Sequence, residues 1–255
     1  MVTIDFGRTA SDYGRHRAGF PSTMFDRLAR FRVGIDGQRV VDVGTGTGTV
    51  ARGFALRGCQ VIGIDPSETL VEEARRLDLE AGVTVDYRIA RAEETGLEDG
   101  SVDVYAAGQC WHWFDRPAAA AEARRVLVQG GAVIICHFDW LPRNGNVVEA
   151  TEELILSHNP SWRYAGGLGM YPPWTADVAD AGFSGIETFS FDVDVSYSHE
   201  DWRGQIRASA GVAASLDREA VSRFDSAHVD MLARRFPQDP LEVPHRVWAL
   251  IARAP

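Results

Sequence analysis

Three glycines at alternate positions, Gly44, Gly46 and Gly48, follow the apolar run Val40-Val41-Asp42-Val43, which carries an acid at Asp42. Glycines so spaced let a chain turn tightly and bring its backbone close to a ligand at the start of a helix. The dinucleotide fingerprint reads G-x-G-x-x-G, whereas the order here is G-x-G-x-G. A second acid, Asp65, closes the next apolar run in Gly63-Ile64-Asp65-Pro66-Ser67. A carboxylate at a strand end can accept both hydroxyls of a vicinal diol, because a diol offers two donors close together. A lone glycine turn is as often a plain strand-to-helix connection; the second acid tips the reading toward a ligand.

Two later clusters could carry reactivity. Gly108-Gln109-Cys110-Trp111-His112-Trp113-Phe114-Asp115 holds three aromatics in four positions, with a histidine among them. Such rings are costly to leave in water unless they line a pocket or pack a core. Histidine has a pKa suited to taking a proton near neutrality, so His112 is the first candidate base, with capping of a turn as its plain alternative. Asp139, in His137-Phe138-Asp139-Trp140, is the second. His137 falls inside an apolar run and reads as buried structure. His228, on an apolar helix face, reads as a satisfied histidine. The other histidines form no metal-ligand spacing, and Cys59, Cys110 and Cys136 form no C-x-x-C pair, so no metal is expected.

The elements that must hold these residues alternate as strand and helix from about residue 38 to 138, the signature of a parallel sheet. Strands are expected at 39–43, 60–64, 83–89, 102–107 and 132–138, with a glycine turn at 129–131. Helices are expected at 49–57, 67–77 and 117–128. Beyond Asp139 the spacing predicts a helix over 144–156, a loop over 166–173, an alternating strand over 189–195, a helix over 218–235 and a last strand over 243–253. In open sheets of this kind ligands sit at the carboxyl ends of the strands, where both clusters fall.

The 255 residues are 45% hydrophobic and 24% charged, with 26 Lys+Arg against 36 Asp+Glu for a net charge of −10. That balance disfavours nucleic acid or an anionic membrane as the working partner, since both need concentrated cations. No apolar run is long enough to span a bilayer and no signal-peptide order opens the chain, so a cytoplasmic protein is expected.

The stretch from Val40 to Gly48, with Asp65-Pro66-Ser67, resembles class I S-adenosylmethionine-dependent methyltransferases, and more closely their small-molecule, ubiquinone-biosynthesis-like subset. The resemblance covers residues 10–140 well and extends more loosely to Val243-Pro244-His245-Arg246-Val247-Trp248. It implies an α/β, Rossmann-like, seven-stranded, mostly parallel sheet with helices on both faces, an antiparallel last strand and helical cap insertions. One domain, 1–255, is expected, with 1–34, 140–182 and 196–240 as cap or substrate segments. S-adenosyl-L-methionine is the implied cofactor. Gly44, Gly46 and Gly48 would lie under its methionine and ribose, Asp42 would meet the amino group, Asp65 the ribose, and Pro66 and Leu70 the adenine. The family's Asp-Ala-Glu after the third strand is Arg91-Ala92-Glu93 here, which leaves Ala92 and Glu93 as the adenine contacts. Tyr13, Arg17 and Gln109 complete the implied cofactor set.

Trp113 and Phe114 would form an aromatic wall beside the sulfonium, and with Trp140 would meet the acceptor. Further aromatics of an acceptor-lining cap are Trp162, Tyr164, Tyr171, Trp174 and Trp202. The Asn/Asp-Pro-Pro-Tyr sequence of base and glutamine methyltransferases is missing after the fourth strand, so a small organic acceptor is expected. Two other readings share the scaffold: an enzyme that binds the cofactor but catalyses a step such as cyclisation, and a cofactor-binding protein without catalysis.

Overall fold

The central apolar runs, residues 40–43 and 61–64 foremost, lie side by side in parallel because they are buried and rich in β-branched residues. The computed structural model describes residues 18–255. Tyr13, Arg17 and the opening part of the 1–34 segment lie outside the described residues. Strands β1 (Arg39–Val43), β2 (Gln60–Ile64), β3 (Asp86–Arg88), β4 (Val102–Gly108) and β5 (Leu127–Trp140) pair in parallel. With β6 (Ser184–Tyr197) and β7 (Leu241–Arg253) they make a seven-stranded sheet in the order β3-β2-β1-β4-β5-β7-β6. β7 runs against β5: Gly130 N–H bonds the carbonyl of Ala254 at 2.9 Å, and Leu141 N–H that of Pro244 at 2.8 Å. Helices among the described residues are α1 (Ser22–Arg30), α2 (Thr49–Ala55), α3 (Glu68–Ala81), α4 (Arg116–Val126), α5 (Val147–His158), α6 (Trp174–Asp180), α7 (His199–Arg207) and α8 (Arg218–Arg235). None is long and apolar enough to cross a membrane.

The chain forms two compact units. The larger gathers Gly19–Phe138, Met170–Phe191 and Val247–Pro255. Its core joins Val41, Ile64, Tyr105, Ile135 and Trp248 of the strands to Trp111, Ala120 and Trp174. The smaller gathers Ala18, Asp139–Gly169 and Asp192–Arg246. It closes around Ile155, Trp162, Trp202, Ile206 and Phe224, with α5, α7 and α8 as its helices. Residues 19–34 and 170–182, expected as cap, therefore belong to the larger unit, where α1 buries Met24, Phe25 and Leu28.

Several boundaries differ from expectation. α3 runs on to Ala81 because good helix formers continue until Gly82, which ends it in the left-handed conformation at φ 68°. The turn expected at 129–131 lies within β5: Gly130 takes φ 72° and the register jumps from Val102↔Leu127 to Val104↔Ala132, so the glycines make a bulge. β3 is short, only Asp86–Arg88, at one edge of the sheet. β6 alternates as predicted, but its inner positions are only half-buried because it is the other edge. α1, α6 and α7 were not legible: each is short and opens on Pro or on polar residues.

The Tyr105 hydroxyl, fully buried, donates to the carbonyl of Ala92 at 3.0 Å and so ties β4 to the segment after β3. Tyr105→Phe strands that carbonyl and is expected to cost about 1–3 kcal/mol in urea denaturation.

Candidate functional site

β1 has β2 on one side and β4 on the other, so the connections leaving β1 and β4 diverge and open a crevice at their carboxyl ends. The loop after β1 (44–48) and the loop after β4 (109–114) touch there. The Cys110 thiol donates to the carbonyl of Val43 at 3.1 Å. A Cβ on Gly44 would fall 2.9 Å from Cys110 and from Phe114 Cζ. A Cβ on Gly48 would strike the Tyr87 hydroxyl. A Cβ on Gly46 would meet nothing within 4 Å. All three take positive φ, at 60°, 56° and 77°. Gly44 and Gly48 are thus demanded by packing, and Gly46 alone faces open space.

Both acids stand at this opening. Asp65 is buried; its Oδ2 accepts the N–H of Gly46 and its Oδ1 the N–H of Ser67, each at 2.9 Å. Burial raises its pKa and these two bonds oppose the rise. Each carboxylate oxygen still has acceptor capacity for an external donor. Asp42 is 1% exposed; its Oδ2 accepts the Thr45 hydroxyl at 2.6 Å and the N–H of Ala51 at 3.1 Å. Its Oδ1 has no hydrogen-bond partner among the described residues. Burial pushes the Asp42 carboxyl up to about 7, with Thr45 and Ala51 pulling against it and Asp65 adding to the rise. A desolvated carboxylate oxygen without a donor is expensive, and a cationic or N–H-bearing ligand would offset that cost. Thr45, the residue that fixes Asp42, was passed over in the sequence, where a threonine between glycines carries no distinct signal.

Around these acids, Leu70 is buried and Pro66 exposed. Ala92 is buried, its carbonyl taken by Tyr105. Glu93 Oε1 accepts the N–H of Asp115 at 2.9 Å, and Oε2 lies 3.6 Å from the Arg91 guanidinium, which is 73% exposed. Glu93 therefore fastens the far end of the loop after β4. Gln109 has φ 60°, unusual for a side-chain-bearing residue. Its N–H bonds the carbonyl of Cys136 at 2.8 Å and its amide donates to that of Phe138, so β5 holds the strained turn in place.

His112 lies half-buried on a single turn, Trp111–Trp113. Its ring is 4.4 Å from Trp113, 5.5 Å from His137 and 6.4 Å from Trp174, which it parallels. Trp113 is 40% exposed, whereas Trp111 is fully buried and donates its indole N–H to Asp177 at 2.9 Å. Phe114 packs edge-on against Trp111 and reaches Gly44. His137 is buried between Tyr171 and Trp174, at 4.3 and 5.0 Å, as its place inside a strand suggested.

Asp139 and Trp140, at the end of β5, belong to the smaller unit and are half-buried. The Trp140 indole donates to the buried Glu152 at 2.9 Å and packs edge-on against Trp202. Of the aromatics expected to line a cap, Trp162 and Trp202 pack the smaller core, while Tyr171 and Trp174 stack 4.1 Å apart in the larger unit. Only Tyr164, 48% exposed, presents its ring to solvent. His228 is fully buried with Nε2 3.4 Å from Thr151 Oγ1, and burial lowers its pKa to about 4, so it is a neutral core histidine. Among the described residues no group of three His, Cys, Asp or Glu side chains is placed to hold a metal ion.

The sheet order and the acid-flanked glycine loop at its switch point define a Rossmann-like α/β protein of the methyltransferase type. A family profile described as "Methyltransferase domain" matches residues 41–135. Ubiquinone biosynthesis O-methyltransferase of Chromobacterium violaceum is 35% identical over 160 residues, covering 61% of this chain and 68% of that protein. An uncharacterised methyltransferase of Mycobacterium tuberculosis is 33% identical over 130 residues, 51% of this chain and 50% of that protein. The solved structure of the YcgJ protein from Bacillus subtilis superposes with a TM-score of 0.58 at 18% identity, covering 91% of this chain and 98% of that one. The chain belongs to the class I S-adenosylmethionine-dependent methyltransferases. It spans about half the length of the first curated relatives it matches.

The three glycines should separate experimentally. Gly46→Ala is expected to cost only the strain of a left-handed alanine, about 1 kcal/mol. Gly44→Ala adds a collision with Cys110 and Phe114 and should lower the thermal midpoint much further. Equal losses in a melting comparison would mean that Gly46 is as packed as Gly44.

Proposed function

We propose that this protein transfers the methyl group of S-adenosyl-L-methionine to a small organic acceptor, an oxygen, nitrogen or carbon nucleophile. The observation that carries this reading is Asp65, whose carboxylate is aimed by the N–H groups of Gly46 and Ser67 at the end of β2, beside the open face of Gly46. That arrangement suits a vicinal diol, which donates two hydrogen bonds to one carboxylate. Asp42 Oδ1, buried and lacking a partner among the described residues, suits an ammonium group. The ribose diol and the amino-acid ammonium are two polar groups of the proposed cofactor, and relatives with ubiquinone biosynthesis O-methyltransferase in their names support the acceptor class.

When bound, the cofactor supplies an activated methyl group on a sulfonium. The chain's own part is chiefly to orient and to exclude water, since in-line transfer needs little covalent chemistry from the protein. Asp65 holds the diol and Asp42 neutralises the ammonium. Gly46 gives the backbone the closeness that any side chain would deny. Phe114 and Trp113 provide ring faces beside the positive sulfonium. His112 takes the proton of an acceptor that arrives protonated; Asp139 is the alternative group. A cytoplasmic setting and the absence of nucleic-acid or membrane partners are part of the same proposal.

Calorimetry with S-adenosylhomocysteine tests the cofactor reading. Asp65→Ala should weaken binding about 10- to 100-fold, by loss of charge-assisted hydrogen bonds. Unchanged affinity would remove the ribose assignment. An ammonium beside Asp42 favours the ionised carboxylate and lowers a pKa that stands at about 7 in the free protein. Binding near pH 7 should therefore release a proton, seen as a heat that varies with the buffer's ionisation enthalpy, and Asp42→Asn should abolish that release.

Turnover of labelled S-adenosylmethionine against an acceptor library tests transfer itself. With a protonated acceptor, His112→Phe should lower turnover about 10²- to 10⁴-fold and erase the acid limb of the pH profile. S-adenosylhomocysteine affinity should stay unchanged. If rate and profile both survive, His112 is structural and Asp139 takes the role.

A further inference from the structure

Against Gly48 of the glycine loop, where the Cβ position of Gly46 is by contrast open, lies a desolvated ionic group that the proposed chemistry does not use. Arg52 of α2 and Asp78 of α3 form an ion pair at 2.8 Å, with side chains only 16% and 6% exposed. The same guanidinium donates to the carbonyl of Thr47 at 2.8 Å and, more weakly, to that of Ala74 at 3.4 Å. Tyr87 of β3 lies beside Asp78, and burial, with the carboxylate adding to it, pushes the phenol's pKa up. The ring reaches this position by passing Gly63, where a Cβ would fall 2.5 Å from it, and its hydroxyl ends against Gly48. Two glycines are thus spent to let one tyrosine reach the back of the loop.

A buried ion pair is poor evidence for stability, because its desolvation cost is comparable to its attraction and an apolar pair of like volume often serves as well. What this pair does that an apolar one could not is hold a backbone carbonyl. Thr47 stands between Gly46 and Gly48, and its carbonyl is drawn backward by a guanidinium that is itself oriented by Asp78. The N–H of the next residue, Gly48, bonds the carbonyl of Thr45 at 2.9 Å. With the 47–48 peptide fixed from both ends, the N–H of Gly46 stays pointed at Asp65. Without Arg52 the Thr47 carbonyl loses its guanidinium partner, and Gly48, whose φ is one of the two torsions beside that peptide, lets it rotate.

We infer that Arg52, held by its ion pair with Asp78, is a positioning residue that sets the glycine loop for the cofactor. This rests on the cofactor reading above and acts through the loop. It predicts a loss of affinity larger than the loss of stability. Arg52→Met keeps the volume and removes the donor; Arg52→Lys keeps the charge and loses the fork; Asp78→Asn leaves the guanidinium without its anchor.

The test measures S-adenosylhomocysteine affinity by calorimetry, the thermal midpoint, and amide hydrogen exchange of residues 44–48 in ligand-free protein. Arg52→Met should weaken binding about tenfold or more and speed loop exchange, with a smaller effect on melting. Arg52→Lys should recover part of the affinity. Adding Asp78→Asn to Arg52→Met should cost little beyond either change alone, because both act on one unit. Unchanged affinity and exchange in Arg52→Met and Asp78→Asn, with only the melting point lowered, overturns the proposal. If the native protein itself fails to bind S-adenosylhomocysteine, the cofactor reading falls. In that case faster exchange at 44–48 still upholds Arg52 as the loop's anchor, and unchanged exchange still refutes it.

Discussion

Asp42 is a carboxylate inside a strand that is buried on both faces, and the desolvation of that one group organises the loop beside it. One of its oxygens is satisfied by Thr45 and Ala51, at the beginning of the loop and inside the helix that follows. The loop must therefore fold back over its own strand between those two residues. That return is tight, and three left-handed glycines make it possible. The other oxygen is left as a buried acceptor without a hydrogen-bond partner among the described residues, a cost that a donating ligand would offset. Burial holds the acid near neutrality in the free protein, so its charge is available to respond to a cation.

The glycines divide the labour in a way their regular spacing conceals. Gly44 lets the loop after β4 press against it through Cys110 and Phe114, and Gly48 lets Tyr87 press from behind. Between them Gly46 points its backbone at open space and its N–H at Asp65. Open face and packed support are thus contributed by different glycines. Packing on both sides leaves the middle residue no freedom to retreat from a ligand.

The aromatic residues divide in a similar way, by what covers them. Trp111, Trp174, His137 and Trp248 are consumed in the larger core, and Trp162 and Trp202 in the smaller one. His112 and Trp113 stay partly accessible because the turn that carries them is short and is fixed at Gln109 and Glu93 rather than covered by a helix. In fold terms the two acids stand at or beside rigid strand ends, and His112 on a braced turn.

Much of this was legible without coordinates. The alternation of β-branched runs with helix-period segments gave β1, β2, β4 and the spans of α2 and α8, because burial on both faces and a single apolar helix stripe leave direct marks on residue order. The acid-flanked glycines marked the tight turn after β1, since few sequences need three left-handed residues behind a buried carboxylate. Short polar helices such as α1, α6 and α7 left no such mark, and the glycine pair at 130–131 read as a turn because a bulge needs the same residue. Which glycine faces the opening, which tryptophans are core, and the meeting of Arg52, Asp78 and Tyr87 under Thr47 were decided only by tertiary structure. They depend on residues from separate elements converging in space, and local sequence spacing carries no trace of that.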